Sequence, residues 1–331
     1  MNGSDAGAHP LHATRLVSAS ATRGGREEST RAFVSTVDST AARQTTPCGS
    51  GSMTWRLWGA GRSLVLLHGA SGSWTHWIRN ILPLSAHFRL LVPDMPGFGD
   101  SDMPPEPHTA ETIAGVTASG LDVVAQRGDH LDLAGFSFGG IIGGLVAAIL
   151  GRRVRTLALV GPGGLGLRAA PTPALLRSDP AAGPGDLERV HEENLRRLMM
   201  ANPARVDDLA TFIQMENVRR ARFKSGNIPE SDILLRALPR IRARITGIWG
   251  ARDAFVGGDV EERRRVLASV EPDLDFRVID GAGHWVIYEE ARRVSAALVE
   301  MLSGTAARDS HLDIDRPGQD APPGHAARPH P

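Results

Sequence analysis

Short apolar segments alternate with longer segments of helical spacing through most of this chain. Strands are predicted in the mostly apolar segments 64–67, 88–93, 130–134, 154–160 and 245–250, and at 274–279, where apolar residues recur at strand period. Helices are predicted between them, at 74–84, 109–126 and 139–148. Such alternation predicts an α/β fold, in which a mostly parallel sheet carries helices on both faces. Residues 31–38 and 53–58 are predicted to be two strands of an opening hairpin or meander.

Residues 165–240 do not follow this alternation of strand and helix patterns. Prolines punctuate the segment, and apolar residues recur at helical spacing over 187–200 and 206–223. We therefore predict a helical lid at 165–240, inserted between the first part of the core, 29–164, and the second part, 241–303. The remaining residues, 1–28 and 304–331, are rich in small and polar residues or in Pro, Gly and His, and we expect both tails to be disordered.

Composition and net charge argue against some classes of function. The chain has 331 residues, with 37 Lys plus Arg and 37 Asp plus Glu, and this zero net charge argues against nucleic acid as a partner. Cys48 is the single cysteine, so no internal disulfide can form. The sequence contains no apolar run that would suit a signal peptide or a membrane span. We expect a cytoplasmic protein without a membrane partner, and a homo-oligomer is possible.

The segment Gly135-Phe136-Ser137-Phe138-Gly139 carries the sharpest chemical signal. It fits G-x-S-x-G, and it stands between a predicted strand and a predicted buried helix. A strand that turns abruptly into a helix exposes the serine hydroxyl at the edge of the sheet, and the helix N-terminus favours developing negative charge beside it.

A serine hydroxyl needs a base, and the base needs a group that orients it. Asp253 follows the predicted strand at 245–250, and His284 follows the one at 274–279. Both residues are therefore expected at carboxyl ends of strands, on the same edge of the sheet as Ser137. The order Ser, Asp, His along the chain is the order of the α/β-hydrolase fold. We predict that Ser137, Asp253 and His284 form a catalytic triad.

The chain resembles the α/β-hydrolase superfamily from about residue 32 to residue 302. The motifs that carry the resemblance are HG-x-SG at 68–72, D-x-PGFGDS at 94–101, GFSFGG at 135–140, GARD at 250–253 and GHW at 283–285. The resemblance implies that the backbone N–H groups of Ala70 and Phe138 form the oxyanion hole. It also implies a small carbonyl substrate and water as reactants, with no cofactor and no metal.

Among the branches of this superfamily, the chain resembles the hydrolases that cleave C–C bonds in ring-fission products. Gly161–Gly166 and Trp285 match features of that branch, and the lid contains arginines that could bind a dienoate carboxylate, namely Arg219, Arg220 and Arg222. Asn217 is a further candidate for that lid position. The chain departs from the branch at Phe136, where asparagine is usual, and in an oxyanion loop that is poorer in glycine. The candidates for the pocket wall are Ser71, Trp74, Phe136 and Trp285.

Other functions fit parts of the same pattern. A carboxylesterase or lactonase would use the same three residues on an ester, and a cofactor-free perhydrolase or oxygenase could share the scaffold. A non-catalytic member of the fold would only bind a ligand, although such proteins typically lack one of the three residues. Gly161–Gly166 fits the dinucleotide pattern G-x-G-x-x-G, but no second strand with a terminal acidic residue follows it. His191 and its neighbours lack the second histidine of a zinc-binding helix.

Overall fold

A computed structural model describes residues 23–303 apart from 126–128, 169, 172, 180, 182 and 257–258. Most of the predicted disordered tails, at 1–22 and 304–331, therefore lies outside the described residues. Within the described part, no helix combines the length and the apolar character needed to cross a membrane.

Eight strands form one sheet in the order β1-β2-β4-β3-β5-β6-β7-β8. The strands are β1 (Ala42–Cys48), β2 (Gly51–Trp58), β3 (Ser63–Leu67), β4 (Arg89–Pro93), β5 (Leu131–Phe136), β6 (Val154–Val160), β7 (Arg244–Gly250) and β8 (Asp275–Ile279). β2 runs antiparallel to β1 and β4, and all other neighbours are parallel. The predicted α/β fold with a mostly parallel sheet is confirmed.

Helices cover both faces of the sheet. They are α1 (Arg23–Ser39), α2 (Ile78–Ser85), α3 (Ala110–Val124), α4 (Phe138–Leu150), α5 (Pro184–Asn194), α6 (Asp208–Arg220), α7 (Ile233–Ala237), α8 (Val260–Ala268), α9 (Val286–Glu289) and α10 (Ala291–Ser303). Successive residues of a strand face opposite sides, so Leu133 of β5 joins one apolar cluster and Ala134 joins the other. Because both faces are buried, the central strands are apolar throughout, which made them recognisable in the sequence.

The prediction of a strand at 31–38 is wrong. These residues belong to α1, which also includes residues 23–28 of the predicted disordered tail. Besides the half-buried charged residues Arg26 and Asp38, the buried or half-buried positions of α1 are Thr30, Phe33, Val34 and Val37, a spacing that places these four on one helix face. This face packs on the core beside Trp58 and on the insertion, where Arg31 stacks over the ring of Phe212. In such a short segment, a few apolar residues fit either period, and tertiary packing decides the outcome.

The segment between β6 and β7 holds the helices α5, α6 and α7, with a π-helical turn at Leu195–Met199. Its side chains enter both apolar clusters. Leu195 and Ile213 are buried in the cluster that contains Trp285, and Phe223 and Leu234 are buried in the cluster that contains Leu133. The insertion therefore packs directly over the carboxyl ends of the strands.

A buried ion cluster fixes the loop after β4. Arg56 is 2% exposed, and its guanidinium donates to Asp38 at 2.6 Å, to Asp94 at 2.9 Å and to Asp100. Asp94 also accepts the backbone N–H groups of Trp74 and Asp100, and so it ties the amides of two loops together. Burial by itself would lower the pKa of Arg56, but the neighbouring carboxylates outweigh it and raise that pKa.

Replacing Arg56 with Met should lower the free energy of unfolding by about 3–5 kcal/mol, because the buried Asp94 carboxylate loses its partner. Urea denaturation at neutral pH measures the change. The control is Arg219→Met, since the Arg219 side chain is 67% exposed and, among the described residues, its ion-pair partner is Glu216 on its own helix. The control should shift the free energy by less than about 0.5 kcal/mol. Equal unfolding midpoints for the two variants would contradict this account of the cluster.

Candidate active site

Ser137 stands at an abrupt turn between β5 and α4. Its backbone has φ +52° and ψ −118°, and its N–H donates to the carbonyl of Val160 at 2.9 Å. A Cβ on Gly135 would lie 2.3 Å from the Gly139 carbonyl oxygen, and one on Gly139 would lie 2.4 Å from that of Leu67. Real Cβ atoms do not approach so closely, so the turn requires glycine at both positions. This geometry presents the serine hydroxyl at the carboxyl edge of the sheet.

A chain of hydrogen bonds joins Ser137, His284 and Asp253. His284 Nδ1 lies 2.7 Å from Asp253 Oδ2, and His284 Nε2 lies 3.0 Å from Ser137 Oγ. Because a carboxylate only accepts, Nδ1 carries the proton and Nε2 is left to accept the serine hydroxyl. Asp253 and His284 are 3% and 6% exposed, so the pair is shielded from water.

Two neighbouring strands position the aspartate and the histidine. Asp253 follows β7 and also accepts the Phe255 N–H at 2.9 Å, which fixes its carboxylate. His284 follows β8, and its ring lies between those of Phe136 and Phe255, with centroid distances of 5.2 and 4.6 Å. The structure thus brings together the three residues that the sequence placed at strand ends.

Two buried histidines hold the loop that follows β3. His68 Nδ1 donates to the Gly69 carbonyl at 2.8 Å, while its Nε2 accepts the Met95 N–H at 2.9 Å. His76 Nδ1 accepts the Gly69 N–H at 3.1 Å. Burial lowers the pKa of both imidazoles, so both are neutral and can accept these N–H groups. The two histidines therefore fix the N–H and the carbonyl of Gly69, the residue before Ala70.

The insertion is bonded to this loop through a buried asparagine of α6. Asn217 Oδ1 accepts the Ser73 hydroxyl at 2.7 Å, and Asn217 Nδ2 donates to Thr75 Oγ1 at 3.1 Å. All three side chains are buried. The position of α6 is thus coupled to the loop that carries Ala70.

A second set of bonds ties the insertion to the histidine loop. The buried carboxylate of Glu289 accepts the N–H groups of Gly283, Ala201 and Asn202 at 2.7, 3.2 and 2.6 Å. The N–H of Trp285 donates to the Met199 carbonyl at 2.7 Å. Glu289 therefore fixes the backbone of Gly283, next to His284, relative to the insertion.

A cavity of about 650 Å³ lies between the insertion and the sheet and contains the exposed side of Ser137 and His284. Its wall is largely apolar, as the residues Leu165, Leu167, Leu198, Met199, Val218 and Phe255 show. Its volume suits a small organic substrate.

Of the predicted oxyanion-hole residues, Ala70 and Phe138, and the predicted pocket residues near them, some line the cavity and some do not. Ala70, Ser71 and Phe136 line the cavity. Phe138 begins α4 directly after Ser137, and its ring packs away from the cavity, against Phe98 and Phe223.

The two predicted tryptophans do not line the cavity. The ring of Trp74 packs on Trp58 at 5.7 Å and under the Arg56 guanidinium at 5.0 Å. Trp285 packs on His76 and Tyr288, and its Nε1 donates to the His76 carbonyl at 3.3 Å. Trp285 therefore supports His76 from behind the wall, whereas Trp74 packs beside the ion cluster of Arg56.

The expectation that a lid arginine faces the substrate is also corrected. Arg219 is exposed and pairs with Glu216, Arg220 pairs with Asp100, and Arg222 donates to the carbonyl of Ser101. The end of α6 is fixed on the loop after β4, because the N–H groups of Arg222 and Phe223 both donate to the Gly97 carbonyl. The side chains therefore reach the acidic and carbonyl groups of that loop and not the cavity.

Two residues of the site, His76 and Glu289, escaped the sequence reasoning. His76 lines the cavity, and Glu289 acts through backbone amides of distant segments. Asn217 was a candidate for binding the substrate, but it bonds the hydroxyls of Ser73 and Thr75 instead. The position of His76 close behind the HG-x-SG loop was an available signal, whereas nothing local distinguishes Glu289 from a surface glutamate.

Replacing Gly139 with Ala should lower the free energy of unfolding by about 1–3 kcal/mol, because the new methyl group meets the backbone of β3. Chemical denaturation of the purified protein measures this. Gly115→Ala in α3 is the control, since nothing lies within 4 Å of its added Cβ. The control should leave stability unchanged or raise it by up to about 1 kcal/mol. If Gly139→Ala were as stable as the control, the close approach of α4 to β3 would be wrong.

The chain is similar to known proteins in sequence and in fold. The model of the alpha/beta hydrolase family matches residues 64–297. The 2-hydroxy-6-oxo-6-phenylhexa-2,4-dienoate hydrolase of Burkholderia cepacia is 25% identical over 264 residues, which cover 74% of this chain and 89% of that protein. The 2-hydroxy-6-oxononadienedioate/2-hydroxy-6-oxononatrienedioate hydrolase of Cupriavidus pinatubonensis is 28% identical over 271 residues, which cover 74% and 88%.

A solved structure of similar fold is a variant of the meta-cleavage product hydrolase of Pseudomonas fluorescens IP01. It aligns with a TM-score of 0.64 at 19% identity, over 79% of this chain and 97% of that one, and at this identity it supports the fold alone. The family match spans more than half of the chain and contains Ser137, Asp253 and His284. The chain belongs to the alpha/beta hydrolase family, and it is a hydrolase.

Proposed function

We propose that this enzyme hydrolyses a small carbonyl substrate with Ser137 as nucleophile, His284 as base and Asp253 as the group that orients the histidine. The observation that carries the proposal is the chain of two hydrogen bonds, 2.7 and 3.0 Å long, that ends at a serine on the wall of a cavity. In such an arrangement, the histidine takes the serine proton as the hydroxyl attacks the carbonyl carbon, and the aspartate stabilises the imidazolium.

The backbone N–H groups of Ala70 and Phe138 are the proposed donors to the oxyanion. Phe138 is the first residue of α4, where N–H groups have no intrahelical acceptor, and Ala70 lies on the braced loop at the cavity wall. Removal of one donor of this kind typically costs about 3–4 kcal/mol of transition-state stabilisation. The neutral His68 and His76 would keep the loop in place without adding a competing charge.

The substrate that we favour is a 2-hydroxy-6-oxo-dienoate, because relatives at 25–28% identity bear names of hydrolases of such compounds. The dienol first becomes a ketone, so that the carbon that leaves can accept the bonding electrons. Ser137 then adds to the 6-oxo carbon, and the C–C bond breaks as the leaving carbon receives a proton from His284. Water, deprotonated by His284, hydrolyses the acyl-enzyme that remains and releases the second acid.

An ester substrate is the second candidate. The same acyl transfer would cleave a carboxylic ester or a lactone, with an alcohol as leaving group. The observation in its favour is that Arg219, Arg220 and Arg222, the lid cations expected for a dienoate, have partners outside the cavity.

Replacing Ser137 with Ala should lower turnover by a factor of about 10⁴ or more, and Asp253→Asn should lower it by about 10³–10⁴ because the histidine loses its orientation. Both rates are read from the disappearance of substrate under saturating conditions. Covalent labelling by a fluorophosphonate, followed by intact-mass measurement, should add one label to the wild-type protein and none to Ser137→Ala.

Ser225→Ala is the matched control, because Ser225 lines the same cavity. It should keep both turnover and labelling. Labelling of Ser137→Ala at the wild-type rate would overturn the assignment of the nucleophile. A wild-type protein that is folded but does not label would favour a member of the fold that only binds a ligand.

A further inference from the structure

Arg263 is a buried cation at the wall of the cavity that contains Ser137. It lies in the first turn of α8, and its side chain is 8% exposed. The segment that connects Asp253 to α8 contributes Phe255 and Val256 to the same wall. Arg263 therefore lines the same cavity as the proposed reaction centre.

The hydrogen bonds of Arg263 do not saturate its guanidinium. Nη1 donates to the Asp259 carbonyl and to Glu262 Oε2, and Nη2 donates to the Arg168 carbonyl, each at 3.2 Å. A guanidinium has five N–H groups, so at least two of them have no acceptor among the described residues. Charge-assisted bonds are usually about 2.7–2.9 Å long, so these contacts are also long.

The positive charge of Arg263 is poorly compensated. Two of its acceptors are neutral carbonyls, and the third belongs to Glu262, whose side chain is 42% exposed and thus well hydrated. The other buried arginine of the described part, Arg56, instead meets three carboxylates. A largely buried cation whose one carboxylate partner is hydrated is stabilised further when a ligand supplies a second negative charge.

Among the described residues of the cavity wall, one side chain has a positive charge that can attract an anion. Of the described lining residues, the ionisable ones are His76, Glu230, Asp253, Arg263 and His284. His76 is neutral, Asp253 and His284 are bonded to each other, and Glu230 is an exposed carboxylate. Arg263 is thus the arginine or lysine that the described wall offers to a substrate.

We propose that Arg263 binds the carboxylate of the substrate and selects acids over neutral analogues. The inference rests on the proposed function, in which Ser137 attacks a carbonyl of a molecule in this cavity. The planar guanidinium can offer its remaining N–H groups to a carboxylate, and the apolar wall at Phe255 and Val256 strengthens that attraction by excluding water. The acid group is then held from α8 and not from α6.

The test measures binding alone, in Ser137→Ala protein that cannot turn over. Isothermal titration calorimetry compares hexa-2,4-dienoate with hexa-2,4-dienamide, which differ in charge but hardly in shape. The dienoate should bind at least tenfold more tightly than the amide. Adding Arg263→Gln should abolish that preference and leave the affinity for the amide within about twofold. Arg263→Lys should keep part of the preference, since the charge remains but the fork of donors is lost.

The matched control is Arg219→Gln in the same background, which should keep the full preference because Arg219 pairs on the surface. If Arg263→Gln weakens both ligands equally, Arg263 supports the loop at Arg168 and the inference is overturned. Equal affinities in the starting protein, or no binding of either ligand, overturn it as well. Failure of the proposed function is separate, because it is read from turnover and labelling of protein with Ser137 intact.

Discussion

The site depends on the close approach of α4 to the end of β3 at the turn that carries Ser137. Positions 135 and 139 have no room for a side chain, and Ser137 adopts a backbone conformation that L-residues rarely occupy. The parallel order of β3, β5, β6, β7 and β8 places their carboxyl ends on one edge, so the loops with Ala70, Asp253 and His284 meet beside this serine. A rigid, densely bonded sheet is what holds such a strained turn in place.

Buried polar groups connect the parts of the site that the sheet alone would not align. Asn217 bonds the insertion to the loop after β3, and Glu289 bonds it to the loop that carries His284. His68 and His76 are neutral, so they brace the backbone without disturbing the charge of the neighbouring Asp253 and His284. The cavity that results is apolar apart from a few directed groups, a composition that makes electrostatic interactions within it strong.

The sequence predicted the parts of this protein whose causes are local. Buried parallel strands are apolar throughout, and the spacing around Ser137 follows from the turn, so the fold class could be predicted and the three proposed catalytic residues could be placed at strand ends. The helix α1 could not be predicted, because four apolar or small residues in a polar segment fit the spacing of a helix or of a strand. The surface on which the segment packs decides between the two.

For a similar reason, the sequence did not predict the direction in which the side chains of the insertion point. Arg219, Arg220 and Arg222 look equivalent in sequence, yet the anchoring of their backbone on Gly97 turns them toward surface acids and loop carbonyls. Arg263 likewise looks equivalent to Arg264 and Arg265 in sequence, although its helix places it at the cavity wall. Long-range contacts determine such details. The extents of the lid and of the terminal tails, the location of the protein in the cell and its oligomeric state stay predictions.

The central claim is that Ser137 cleaves a dienoate in the cavity beneath the insertion. The most direct measurement is the turnover of a yellow 2-hydroxy-6-oxo-dienoate, followed by its bleaching, beside that of a short-chain p-nitrophenyl ester, with Ser137→Ala as the blank for both. The account predicts fast bleaching of the dienoate, slower release of p-nitrophenol and no reaction above background in the variant. Bleaching at the wild-type rate by Ser137→Ala would contradict it, and turnover of the ester with an inert dienoate would contradict the choice of substrate.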